Sequence, residues 1–73
     1  MKLKTFEGRE VEVSNLTLEV DRDRDKTKFY KIIGTYYDTH LNRAMIAYSY
    51  NREEILKKHW ELLNKLLDEQ VAT

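Results

Sequence analysis

The stretch Lys28–Tyr37, which reads KFYKIIGTYY, is the strongest strand pattern in this chain of 73 residues. Aromatic and β-branched side chains fill it, and these residue types favour strands. Gly34 stands in its middle, where glycine weakens a strand unless another segment approaches closely or the strand bends. We therefore predict a central strand with a close contact or a bend at Gly34.

A turn over residues 39–43 connects this strand to a second one, over residues 44–50. The turn suits a three-residue hairpin loop ending at Asn42, because asparagine tolerates left-handed backbone. An odd loop pairs even positions with even ones, which brings an aromatic ring near Gly34. One face then carries the even-numbered residues Tyr30, Ile32, Gly34, Tyr36, Ala44, Ile46, Tyr48 and Tyr50. The other face carries the odd-numbered residues Phe29, Lys31, Ile33, Thr35, Tyr37, Arg43, Met45, Ala47 and Ser49.

The chain after this hairpin predicts one helix over about residues 52–71. Asn51 is a good N-cap, and Glu54 follows three residues later, as in a capping box. Apolar residues recur at helical spacing from Ile55 to Val71 and, at about 100° per residue, span roughly half of the helix circumference. Because a helix on one sheet needs a narrower stripe, the surplus predicts a second contact, with a sheet edge or with another copy of the chain.

Two further strands are predicted nearer the amino end. Residues 3–6 form a short one, and Gly8 after it supplies the positive φ of a tight turn. In the next run the apolar residues change from odd positions, ending at Val13, to even ones, starting at Leu16. A strand keeps one parity on each face, so the change requires a register shift at Ser14–Asn15. A β-bulge is the favoured interpretation, and a break into two short strands is the alternative.

Together these elements predict an α+β fold in a single domain over residues 1–73. About four antiparallel strands, in the order β-β-β-β-α, pack against one carboxy-terminal helix. A chain of this length buries only about 60% of its unfolded surface, and without cysteine it has no disulfides to add stability. We therefore expect a homodimer.

The composition also indicates in which cellular compartment the protein is expected. Charged residues near the amino end leave no apolar core for a signal peptide, and the longest uncharged stretch, residues 44–51, is far shorter than the roughly 20 residues of a membrane helix. The absence of cysteine fits a reducing compartment. We expect a cytoplasmic protein with no membrane partner.

The run Asp21-Arg22-Asp23-Arg24-Asp25-Lys26 matches only the opening of a calcium-binding loop. Such a loop needs glycine at its sixth position and glutamate at its twelfth, where this chain has Lys26 and Ile32. The run is therefore interpreted as a solvated hairpin tip, and no metal is predicted.

No catalytic residue or cofactor site is predicted either, and the chain is not expected to be an enzyme. His40 and His59 have no carboxylate or cysteine partner at a suitable spacing. His59 is interpreted as a partly buried histidine at the helix–sheet border or at a dimer contact. Two glycines are too few for a phosphate-binding loop.

Binding is the remaining function. Candidate partner-binding residues lie on the odd-numbered sheet face and on the helix, and they are Phe29, Lys31, Ile33, Tyr37, Arg43, Met45, His59 and Trp60. The expected partner is a protein, and small chains of this kind include regulators and inhibitors encoded by phages and mobile elements. The alternative is a single-stranded nucleic acid stacked on a tyrosine- and phenylalanine-rich face edged by lysine and arginine. The chain has 13 basic and 13 acidic residues, whereas phosphate binding needs a surplus of cations. The nucleic-acid alternative therefore ranks second.

Overall fold

The computed structural model describes residues 1–36 and 42–71. Within these ranges the elements are β1 (Lys2–Lys4), β2 (Glu10–Arg22), β3 (Lys28–Tyr36), β4 (Arg43–Ser49) and α1 (Arg52–Val71). The strands form one antiparallel sheet in the order β1-β2-β3-β4. The predicted α+β fold, with four antiparallel strands before one carboxy-terminal helix, is confirmed.

A β-bulge in β2 resolves the parity change in that strand. The strand runs without a break, and its register against β3 shifts between Val13 and Asn15. Ser14 is the extra residue, and its hydroxyl donates a hydrogen bond of 3.1 Å to the carbonyl of Thr35. Because one residue is inserted, Val13 and Leu16 are both buried on the same side of the sheet. The bulge is confirmed and the break into two strands is wrong.

A second bulge, in β4, was not predicted. Near the loop the even-with-even pairing holds, since Gly34 pairs with Ala44. Farther along, Ile33 pairs with Met45 but Ile32 pairs with Ala47, which leaves one extra residue on β4.

The face assignment for the far half of β4 is therefore wrong. Tyr48 pairs with Lys31, so Tyr48 and Tyr50 lie on the face predicted for the odd-numbered residues. Ala47 and Ser49 take their place on the other face. The physical reason is the inserted residue, which reverses the alternation of every side chain beyond it.

The helix α1 packs on one side of the sheet, which we call the covered face; the other side is the open face. The core under the helix consists of Val11, Val13, Leu16, Ile32, Tyr36, Ile55 and Leu66. Because the even-numbered positions of β3 belong to this core, its odd-numbered positions lie on the open face.

Gly34 lies on the covered face where side chains approach its backbone closely. A Cβ atom at this position would stand 3.1 Å from Cδ1 of Ile46 and 3.1 Å from Cγ2 of Val13. The predicted close contact therefore exists, and its nearest atoms belong to the aliphatic side chains of Ile46 and Val13.

At the start of α1 the predicted N-cap is confirmed, but the reciprocal capping-box bond to Glu54 is replaced by a bond to Ser49. The side-chain oxygen of Asn51 accepts a hydrogen bond of 3.2 Å from the backbone N–H of Glu54, as an N-cap does. The Ser49 hydroxyl accepts the N–H of Asn51 at 3.0 Å, so a neighbouring side chain holds the N-cap itself. This one helix in the described ranges is not long and apolar enough to cross a membrane.

The turn between β1 and β2 reaches across to the last strand. Gly8 adopts a φ of +91° in this turn, a conformation that glycine accepts without steric cost. The backbone N–H of Phe6 donates a hydrogen bond of 2.7 Å to the carbonyl of Met45 on β4. The sheet is therefore curled, and its first hairpin meets its opposite edge.

Candidate functional site

Four aromatic rings meet on the open face, and we call Phe6, Phe29, Tyr48 and Tyr50 the ring cluster. The Tyr48 ring lies 5.2 Å from Phe6 and 6.0 Å from Phe29, with interplanar angles of 72° and 77°. The Tyr50 ring lies 5.6 Å from Phe29 and 6.3 Å from Tyr48. These are the edge-to-face distances that aromatic pairs prefer, so the rings support one another's positions.

Three separate elements bring the ring cluster together. The β4 bulge turns Tyr48 outward, the hydrogen bond to Met45 holds Phe6 beside it, and β3 supplies Phe29 from an odd position. Phe6, Tyr48 and Tyr50 remain between 44% and 59% exposed. A depression of about 460 Å³ opens beside them, and its lining residues are Arg22, Asp23, Arg24, Phe29, Lys31, Met45, Tyr48 and Tyr50.

Of the three cations predicted to edge this face, Lys28, Lys31 and Arg43, the last two are paired with carboxylates. Lys31 Nζ lies 2.9 Å from Oδ2 of Asp21, and Arg43 forms an ion pair with Glu19. The hydrogen bond from Lys31 lowers the pKa of the Asp21 carboxyl, with help from the backbone N–H of Arg22. The open face therefore gains no net positive charge from Lys31 and Arg43.

The Glu19–Arg43 pair also explains the burial of Ile33. Glu19 lies on β2 and Arg43 on β4, so the pair crosses the central strand. Ile33 lies on β3 between them and is only 7% exposed, although it belongs to the open face. This isoleucine is thus covered by charged side chains instead of by the helix.

The aspartate run forms the hairpin tip between β2 and β3. Oδ1 of Asp23 accepts hydrogen bonds of 2.9 Å from the backbone N–H groups of Asp25 and Thr27. Lys26 adopts a φ of +64°, which lets the chain reverse. Asp21 pairs with Lys31 instead of turning toward Asp23, so the carboxylates of the run serve the hairpin and do not converge.

The hairpin tip is tied to the ring cluster through one hydrogen bond. The Tyr50 hydroxyl donates to Oδ2 of Asp23 at 2.8 Å. This bond lowers the pKa of Asp23, together with the backbone N–H of Thr27, and it raises the pKa of the Tyr50 hydroxyl. The tip and the cluster therefore form one connected surface.

The structure divides the predicted binding residues between two surfaces. Five of them, Phe29, Lys31, Ile33, Arg43 and Met45, lie on the sheet face away from the helix. Tyr37 lies outside the described residues. His59 and Trp60 belong to α1, a different surface.

The predicted binding residues did not include Phe6, Tyr48 or Tyr50, although the two tyrosines belong to the tyrosine-rich sequence behind the nucleic-acid alternative. Phe6 comes from a turn, and only a long-range backbone bond places it. The signal for the two tyrosines was the alternation of small and large residues in A47-Y48-S49-Y50, which places both rings on one face of the strand.

The histidines provide no catalytic arrangement in the described part of the chain. His59 is half-buried on the core side of α1, and its Nε2 atom is buried without a hydrogen-bond partner. His40 lies outside the described residues. Among residues 1–36 and 42–71, no group of three or more His, Cys, Asp or Glu side chains is placed to hold a metal ion.

Comparison of the chain with protein-family models, with curated proteins and with solved structures finds no match.

Proposed function

We propose that this chain is a small, non-enzymatic binding protein of the cytoplasm that acts as a homodimer and regulates or inhibits a protein partner. The partner docks on the open face of the sheet. The observation that supports this most is the ring cluster, whose rings contact one another edge to face and yet leave Phe6, Tyr48 and Tyr50 between 44% and 59% exposed. A fixed, exposed aromatic surface loses little conformational freedom when a partner covers it.

The composition of the open face favours a protein partner. The centres of protein interfaces are rich in aromatic residues, methionine and arginine, and charged groups there are paired. Met45 lies beside the ring cluster, and Arg22 and Arg24 stand at the rim of the same depression. Because Lys31 and Arg43 are paired within the chain, these two cations add no net charge to the apolar centre that a partner meets.

Base stacking by single-stranded nucleic acid is the alternative function. The exposed rings fit it, since every base offers a face for stacking. Its main source of affinity is phosphate neutralisation, and here Lys31 and Arg43 already neutralise carboxylates of the chain itself. The alternative therefore ranks second, and the experiment below distinguishes it.

The test compares three purified proteins as baits in a quantitative capture experiment from cell extract. They are the wild type, the double variant Phe29→Ala/Tyr48→Ala, and Val20→Ser, a control that removes an exposed apolar side chain outside the ring cluster. Circular dichroism first shows that all three are folded. We expect a protein captured by the wild type and the control that the double variant loses, and purified partner must then bind with the same ranking.

Two results would contradict the proposal. In the first, the double variant captures the same proteins as the wild type in equal amounts. In the second, a labelled single-stranded oligonucleotide binds the wild type at low salt, weakens steeply as salt rises and fails to bind the double variant, which would establish the nucleic-acid alternative.

A further inference from the structure

The helix α1 carries a second apolar stripe beside the one that packs on the sheet. Every three or four residues it presents an apolar side chain, and we call Leu56, Trp60, Leu63, Leu67 and Val71 the outer stripe. Trp60 is 64% exposed and Val71 is 85% exposed, while Ile55 and Leu66 of the neighbouring stripe are buried in the core. At about 100° per residue the outer stripe points roughly 110° away from the core direction.

The spacing of the outer stripe fits another helix better than a flat surface. Leu56, Trp60, Leu63 and Leu67 are separated by four, three and four residues, which is the repeat of a coiled-coil seam. The stripe is narrow and runs along a helix of 20 residues, about 30 Å in length. A second copy of the chain presents an identical stripe, as a twofold-symmetric interface requires.

Charges beside the outer stripe specify the direction of that pairing. Lys57 and Asp68 are both exposed on its solvent side, one near each end of α1. In an antiparallel pair, Lys57 of one copy lies near Asp68 of the other, whereas in a parallel pair the two residues stay near opposite ends of the helices. The last turn of α1 contains no basic residue, so Asp68 is unfavourably placed against the helix dipole, and a lysine from the other copy relieves this.

We infer that two copies pair through their outer stripes as antiparallel helices, with Leu56 against Leu67 and Trp60 against Leu63. This inference rests on the homodimer of the proposed function and names its interface. The open face of each sheet stays outside that interface. Each dimer then offers two copies of the ring cluster to partners.

The only tryptophan of the chain lies in the outer stripe and reports on the pairing. As protein concentration rises from low to high micromolar, we expect Trp60 emission to shift to shorter wavelength and acrylamide quenching to fall, while sedimentation shows a dimer. Leu67→Glu should abolish these changes, and the matched control Val20→Glu, on an exposed β2 residue, should preserve them.

A charge swap tests the direction. Lys57→Asp and Asp68→Lys should each weaken the dimer by about tenfold, since each turns two attractive pairs per dimer into repulsive ones. The double variant Lys57→Asp/Asp68→Lys should restore the wild-type affinity. Failure of this rescue overturns the antiparallel arrangement, because only antiparallel helices place the two residues opposite each other.

Two further outcomes distinguish failure of the helix interface from failure of the proposed function. A monomer at high micromolar concentration overturns the dimer, yet capture of a partner through the ring cluster would still support binding by the open face. A dimer that survives Leu67→Glu but is lost in Phe29→Ala/Tyr48→Ala overturns the helix interface and leaves the homodimer itself in place.

Discussion

The two faces of the sheet are built on different principles. The covered face is apolar and tightly packed, with Ile32 fully buried and Gly34 lacking room for a methyl group without movement of its neighbours. The open face buries Ile33 beneath an ion pair and leaves aromatic rings exposed beside it. The covered face therefore buries most of the core, while the open face fixes aromatic rings that remain exposed.

The adjacent isoleucines 32 and 33 provide the strongest test of this difference. Ile32→Ala should lower the free energy of unfolding by about 2–5 kcal/mol, because a cavity in a tightly packed core collapses poorly. Ile33→Ala should cost clearly less, since the Glu19 and Arg43 side chains above it can move into the space. Urea denaturation of both variants measures this, and equal losses would show that the two faces are packed alike.

Gly34→Ala should have the next largest effect. Overpacking of the covered face should lower the free energy of unfolding by about 1–3 kcal/mol. The new methyl group would press on Ile46 and on the stiff, buried Val13. Adding Ile46→Val removes one of the crowding atoms. The double variant should therefore lose less free energy of unfolding than the two single variants together. Thermal denaturation of the four proteins in this cycle provides the measurement, and strict additivity would contradict the contact.

His59 is the polar exception on the core side of α1. His59→Leu should raise the free energy of unfolding by about 1 kcal/mol, because it removes a buried nitrogen that has no hydrogen-bond partner. His59→Gln keeps a polar end at this position and should bring no gain. A loss of stability in the leucine variant would show that the histidine is satisfied in solution.

The smallest effect concerns the pH dependence of the open face. The hydrogen bond from Tyr50 lowers the pKa of Asp23 in the folded chain. Its contribution to stability is therefore complete above the pKa of the unfolded chain and is lost as the pH falls through the folded-state pKa.

Tyr50→Phe should raise the titration midpoint of the Asp23 carboxyl carbon, measured by NMR, toward the ordinary value for aspartate. Its stability should also decline less steeply in acid than that of the wild type. An unchanged midpoint would mean that the backbone N–H groups of the tip alone hold the carboxylate.

Much of the fold could be predicted from the sequence because its signals are local. Asn51 indicates the start of α1, and the change of parity between Val13 and Leu16 requires the bulge in β2. The bulge at Ile46 leaves no such sign, since Ala44, Met45, Ile46 and Ala47 are apolar in succession and show no change of parity. It becomes visible only in the three-dimensional structure, where Ile46 and Ala47 both pack against the core of the covered face.

The candidate site was predictable only in part for the same reason. Strand alternation alone places Phe29 and Met45 on the same face, and that alternation can be seen in the sequence. Phe6 arrives through a backbone bond between the first hairpin and the last strand, and nothing in the composition of either segment indicates that contact.

That same bond between Phe6 and Met45 bears on how the molecule behaves at high concentration. β4 is the last strand of the sheet, and an open strand edge invites other chains to add to it without limit. Because the first turn occupies the carbonyl of Met45, an incoming strand finds this point of the edge already taken. The curl of the sheet thus makes the β4 edge a poorer template for an added strand.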